Sequence, residues 1–231
     1  MIMIQWRIVR ATFSILVLVA LTAHSYGQVG TVLRHVQIGS GQGGFSGALT
    51  LQDRFGGGLA GIGDIDGDGI PDAAIGAPLD DDGVTDSGAV WILFLRADGT
   101  VRTQQKISNL AGGLAANTVS SGDRFGNAIT GIGDLNGDGV PDIAVGAVLD
   151  ATGGMTSGAV YLLCLDGGGN VVSQVKLDST TPALGAIAPG DLFGGDVANL
   201  GDIDGNGVDD LAVGAYLDTP VTGGLTQPGA V

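Results

Sequence analysis

The chain has 231 residues, 44 of them glycine, and all 24 of its acidic residues are aspartate, for a formal charge of −15 and a pI near 4.1. That balance speaks against nucleic acid and anionic membrane surfaces as partners. So much glycine beside so few helix-favouring charged residues argues against a helical protein, and the 44% hydrophobic content in ordered apolar runs argues against low-complexity disorder.

At the N-terminus Arg7 and Arg10 precede an apolar run from Ala11 to Ala23, followed by "HSYGQ". A basic start, a short apolar stretch and small residues near a cleavage point are the three parts of a secretory signal peptide, here residues 1–27, with cleavage after Ser25 or Gly27. The run is shorter than the roughly 20 residues of a membrane-spanning helix, so no stable span is expected and the mature chain is read as secreted, extracellular or cell-surface. Residues 28–52, "VLRHVQIGSGQGGFSGALTLQ" among them, read as the tail of a structural module: an outer strand and a linker. They carry His35, which sits in a strand-like segment outside any glycine-framed nucleophile turn.

From Asp53 onward the chain repeats. "DRFGGGLAGIGD" returns as "DRFGNAITGIGD" and "DLFGGDVANLGD"; "AAIGAPLD" returns as "IAVGAVLD" and "LAVGAYLD"; "SGAVWILFL" returns as "SGAVYLLCL". Matched segments in one order, about 70 residues apart, define modules over 53–122, 123–190 and 191–231. Each module is predicted to hold four strands. In the first these are Phe55–Ile62, Ala73–Ala77, Gly88–Leu95 and, after the Asp98-Gly99 hairpin signal, Thr100–Ile107; Val171–Leu177 is the fourth strand of the second module. "AVWILFL" is apolar on both faces, "FGGGLAGIG" suits strands whose backbones approach closely, and the strand bearing Arg102, Gln104 and Lys106 reads as an outer edge. Small inside, bulky in the middle and polar outside is the gradient of a β-propeller blade, so the fold class is all-β. Cys164, in "YLLCL", reads as a small buried hydrophobe. Asp53 and Asp123, next to Arg54 and Arg124, read as local turns or surface ion pairs.

Between the first and second strands of each module lies an acidic loop. Counted from Asp64, side-chain oxygens fall at positions 1, 3, 5 and 9: Asp64, Asp66, Asp68 and Asp72, with Ile70 offering a backbone carbonyl at position 7. The second loop offers Asp134, Asn136, Asp138 and Asp142 with Val140; the third offers Asp202, Asp204, Asn206 and Asp210 with Val208. Ca²⁺ takes six to eight oxygens at about 2.3–2.6 Å, and alternate oxygen residues in a glycine-punctuated turn can converge on one such ion; Mg²⁺ fits less well because it keeps waters and demands stricter octahedral geometry. About one Ca²⁺ per repeat, three in all, is expected. An EF-hand is excluded, because position 12 is Ile75, Val145 or Val213 and no helix follows.

Phe55-Gly56, the Asp-rich loop and Gly76-Ala77-Pro78 together resemble the FG-GAP repeat of integrin α-chain β-propellers and their bacterial relatives, over about Val32 to Val231. The resemblance implies blades, commonly seven to a ring, with the acidic loop of each binding Ca²⁺ through the residues named above. The proline of the motif is kept only once, since Val148 and Tyr216 follow the other two Gly-Ala pairs.

Catalytic signatures are lacking: no Glu, no phosphate-binding Gly-Lys-Ser/Thr string, and carboxylates already accounted for by the metal loops. The expected function is a non-catalytic, calcium-binding adhesion or ligand-binding module engaging protein or carbohydrate through its loops. The alternative is the propeller portion of a secreted hydrolase or polysaccharide lyase whose catalytic residues lie outside this chain. The terminal "QPGAV" aligns with the opening of a third strand, so a partial propeller is expected, with an exposed apolar edge prone to self-association unless blades of a longer parent chain cover it.

Overall fold

The computed structural model describes residues 15–17, 32, 34–152 and 156–218. Its strands are β1 (Ile15–Val17), β2 (Val36–Ile38), β3 (Leu59–Gly63), β4 (Asp72–Ala77), β5 (Ala89–Leu95), β6 (Val101–Ile107), β7 (Phe125–Gly131), β8 (Ile143–Ala147), β9 (Ala159–Leu165), β10 (Val171–Leu177), β11 (Phe193–Gly201) and β12 (Asp210–Ala215). Strands β3 to β6 form one four-stranded antiparallel sheet in chain order, β7 to β10 form a second, and β11 and β12 pair alone. The fold is all-β: two four-stranded propeller blades and the first two strands of another. Among the described residues no helix is long and apolar enough to cross a membrane.

Strand β1 falls within the segment expected to be a leader and pairs antiparallel with β2, Ile15 opposite Ile38. The rest of that segment, and the terminal "QPGAV", lie outside the described residues. The chain before Asp53 repeats the geometry of the chain before Asp123. Gly39 bridges Gln42 as Ser108 bridges Ala111, and the Val101 N–H donates to the Gly43 carbonyl at 2.7 Å as Val171 does to Gly112 at 2.8 Å.

The blade gradient is present. Every residue of β5 except Leu95 is buried, and so is every residue of β9 except Leu162. Strands β6 and β10 expose Arg102 with Thr103, and Val172 with Ser173. In the first module the inner strand starts later than expected, at Leu59. Arg54 and Gly56 adopt positive φ, and the Gly56 and Gly57 N–H groups both donate to the Gly76 carbonyl, at 2.7 and 3.1 Å, so the residues around Phe55 form a turn.

Backbone contact joins the blades. Gly88 bridges Phe125 in parallel and Gly158 bridges Phe193, with the Phe125 and Phe193 N–H groups donating to Ser87 and Ser157 carbonyls at 2.9 and 2.8 Å. A Cβ on Gly76 would overlap the Gly126 carbonyl, and one on Gly146 the Gly194 carbonyl. The glycine of the Gly-Ala pair in the first two modules is therefore required by a neighbouring strand's backbone, whereas Gly214 in the third has room for a Cβ. Side chains close the remaining space: Ile62, Ile92, Phe125, Ile129, Val145 and Tyr161 belong to one buried cluster spanning both blades.

Asp53 and Asp123 are buried, as is Asp191, so of the two readings the local turn holds and the surface ion pair does not. Each caps the turn before it, accepting the N–H of Thr50, Ser120 or Ala188 at 2.6–2.7 Å. The residue after each has a φ of +53° to +60°, Arg54, Arg124 or Leu192. Near Asp53 and Asp123 lie Asp80 and Asp150, also buried and paired with Lys106 at 2.9 Å and Lys176 at 2.7 Å.

Burial, followed by the neighbouring Asp150 charge and opposed by the Ser120 N–H, pushes Asp123 up to about 6. Its unfolded value is near 3.8. Between these two values the folded chain holds the proton more tightly than the unfolded chain, so this contribution to stability is complete below the lower value and is lost as pH rises through the upper one. Asp150 acts in the opposite sense. Burial, the largest single effect, raises it, but the Lys176 ammonium and the Thr152 hydrogen bonds together outweigh burial and lower it, so its contribution is lost only as pH falls below the ordinary carboxylate range. Asp123→Asn keeps an acceptor for Ser120 and places an uncharged amide beside Asp150. We expect melting temperatures measured from pH 4 to 7 to fall less steeply in Asp123→Asn than in the parent; parallel curves would refute the assignment.

Candidate metal centre

The three acidic loops have one backbone design. In the first, Asp64 accepts the N–H groups of Gly67 at 2.9 Å, Asp68 at 3.1 Å and Gly69 at 2.8 Å. Asp134 does the same with Gly137, Asp138 and Gly139, and Asp202 with Gly205, Asn206 and Gly207. Wrapping the chain around one carboxylate requires left-handed turns, supplied by Gly67 and Gly69 at φ +74° and +86° and their counterparts. Position 3 accepts the N–H of position 5, and position 5 accepts the N–H of Ile70, Val140 or Val208 at 2.8–2.9 Å.

The aspartate at position 9 ties loop to sheet. Asp72 accepts the Ile65 and Leu95 N–H groups, both at 3.0 Å, and Asp142 accepts Leu135 at 2.7 Å and Leu165 at 2.9 Å. One oxygen thus faces the loop and the other the end of the third strand. Burial raises both carboxyls even against these donors. Asp210 makes the equivalent loop bond to Ile203 at 2.8 Å.

In the first loop Asp64, Asp66 and Asp72 bring one oxygen each within 4.8 Å of one another, and in the third Asp202, Asp204 and Asp210 do likewise. Oxygens coordinating one Ca²⁺ lie no farther apart than about 5 Å, and every donor is a hard oxygen, so the residues fit this ion. Two loops, not three, gather a carboxylate trio. In the second, Asn136 replaces the middle carboxylate, and its amide Nδ2 donates to Asp138 Oδ2 at 2.9 Å. Position 5 stands outside the trios. Asp68 lies 3.3 Å from Arg102 Nη2, which also bonds Asp66.

Sequence reasoning missed Arg102 as a partner of the first loop, because it lies on β6, far along the chain, and Val172 occupies its place on β10. It also missed the buried pairs of Asp53 with Asp80 and Asp123 with Asp150. Their signal was present, since both positions recur in all three modules as faithfully as the loop aspartates do. His35 is exposed. Cys164 is buried, as expected, and burial raises its thiol.

Residues 55–93 match the FG-GAP repeat family. The chain is also 35% identical to integrin alpha-PS5 of Drosophila melanogaster over 153 residues, 66% of this chain and 14% of that protein. It is 36% identical to integrin alpha-PS2 of the same organism over 68% of this chain and 11% of that protein. Against integrin alpha-IIb of Mus musculus it is 37% identical over 71% of this chain and 15% of that protein. The matched region therefore spans about one seventh or less of these relatives.

Proposed function

We propose that this chain, an FG-GAP repeat protein similar to integrin alpha chains, is a calcium-binding propeller module that engages protein or carbohydrate ligands through its loops and is itself non-catalytic. The observation that carries this reading is the pair of carboxylate trios on equivalent loops of the first and third modules. Each ion would be held by the oxygens at positions 1, 3, 5 and 9 and by the carbonyl at 7. These are Asp64, Asp66, Asp68, Asp72 and Ile70; Asp134, Asn136, Asp138, Asp142 and Val140; and Asp202, Asp204, Asn206, Asp210 and Val208. In the second and third loops an asparagine supplies oxygen without charge, so a third ion fits the second loop with one carboxylate fewer than the first. The bound ion would neutralise carboxylates that otherwise repel one another, and so hold the loop rim rigid for a partner.

The modules over 53–122, 123–190 and 191–231 would act as successive blades, with 28–52 as the tail of a preceding one and 1–27 as a leader that directs the chain to the cell surface or beyond. The test is binding of the fluorescently labelled full chain to glycan and extracellular-protein arrays, in millimolar calcium and in chelator. Binding in calcium that disappears in chelator is expected. Release of cleaved sugars or peptides from the arrays would overturn the non-catalytic reading.

A further inference from the structure

We propose that Arg102 is a built-in counter-ion of the first acidic loop, which competes with the divalent cation there and makes that loop the weakest of the three sites. The inference rests on the calcium reading above and adds a ranking of the sites to it.

The guanidinium of Arg102 reaches from the outer strand β6 to Asp66 and Asp68, positions 3 and 5 of the loop. It already occupies, in part, the role a metal would take, placing positive charge against two of the loop's four carboxylates. Arg102 is 41% exposed and Asp66 17% exposed, so the pair sits at the rim, where the arginine can swing out into water. The second loop solves the same electrostatic problem from within. Asn136 has no charge, and its amide donates to Asp138, the position-5 acid. No cation is supplied from β10, because the residue corresponding to Arg102 is Val172, which is 56% exposed. The third loop lowers its own charge through Asn206 at position 5.

The first loop is thus the one with four carboxylates and a tethered cation, whereas the other two carry three carboxylates and an asparagine. Among the described residues no side-chain cation pairs with the second or third loop, so an arriving Ca²⁺ displaces there only the loop's own N–H contacts, the Asn136 amide among them. At the first loop it must also displace, or bind beside, a positive group held at high effective concentration by its own strand. Repulsion between two cations a few ångströms apart in a partly solvated site weakens binding by about tenfold.

The test is calcium titration of the full chain by calorimetry, with Tb³⁺ luminescence as a second readout, in the parent, in Arg102→Val and in Asp68→Ala. Arg102→Val places the residue that β10 carries at this position. We expect the parent to show one site weaker than the rest, Asp68→Ala to lose that site, and Arg102→Val to tighten it about tenfold while leaving the others unmoved. In chelator, Arg102→Val should melt below the parent, because four carboxylates then face one another without a counter-ion. Unchanged affinity at the Asp68-dependent site would overturn the proposal while leaving calcium binding intact. Absence of calcium binding in both the parent and Arg102→Val would overturn the calcium reading and this proposal together.

Discussion

The full chain is expected to melt about 14–28 °C lower in chelator than in excess calcium. Each site held at a free calcium concentration about 100 times its dissociation constant adds about 2.7 kcal/mol to the folded state. Two sites at that ratio and a first loop bound about tenfold more weakly then add about 7 kcal/mol, and one kcal/mol moves the melting temperature of a chain this size by about 2–4 °C. Calorimetry at matched ionic strength measures the difference, and equal melting temperatures would remove the metal from the account. Asp204→Ala isolates one increment. Its carboxylate belongs to the third-loop trio and otherwise accepts only the Asn206 N–H, so the variant should lose about 40% of the calcium-induced shift and melt in chelator close to the parent.

Tyr161→Ala should destabilise the calcium-loaded chain by about 3–5 kcal/mol, the cost of emptying a large buried aromatic site. Tyr161 is 0% exposed, and its ring meets Phe125 of the same blade edge-on at 5.5 Å, inside the buried cluster that spans both blades. Its hydroxyl donates to Asp150 and lies 3.0 Å from the Thr118 carbonyl as well. Burial and the facing carboxylates push the phenol far up, so it remains a donor throughout the working range. Tyr161→Phe keeps the ring and removes only the donor beside the buried Asp150, and is expected to cost about 1–2 kcal/mol. Urea unfolding in excess calcium separates the two variants. Equal losses would mean that the hydroxyl, not the ring, holds the cluster. The counterpart of Tyr161 is Trp91, packed edge-on against Phe45 at 5.1 Å, with Lys106 over its ring as Lys176 lies over that of Tyr161.

The parts of the fold that were legible in the sequence are those with a local physical cause. Strand β10 matches its expected limits, and β4, β5 and β6 each differ by one residue, because apolar runs bounded by Asp-Gly and Ser-Gly turns leave little freedom at either end. The loops were legible because alternating oxygens and left-handed glycines serve one local geometry. What escaped was non-local. The turn around Phe55 depends on a carbonyl in β4, and the burial of Asp53 and Asp123 depends on the next strand's connection lying over them. An aspartate beside an arginine reads equally as an ion pair or a turn until its burial and its bond to the Thr50 or Ser120 N–H are known. Position 9 was legible as an oxygen donor, but its second oxygen, bonded to the end of β5 or β9, was not.

The two blade junctions are built alike: a Ser-Gly pair opens the third strand and receives the Phe-Gly of the next module through one parallel bridge and one N–H bond. Neither contact depends on side-chain identity beyond glycine's lack of one. The backbone part of the joint is interchangeable between modules bearing Phe-Gly and modules bearing Ser-Gly, whereas the buried side chains around it must still match. Such a chain can lengthen by duplicating whole modules with this joint intact, while a rim residue such as Arg102 is free to diverge and give each blade its own character.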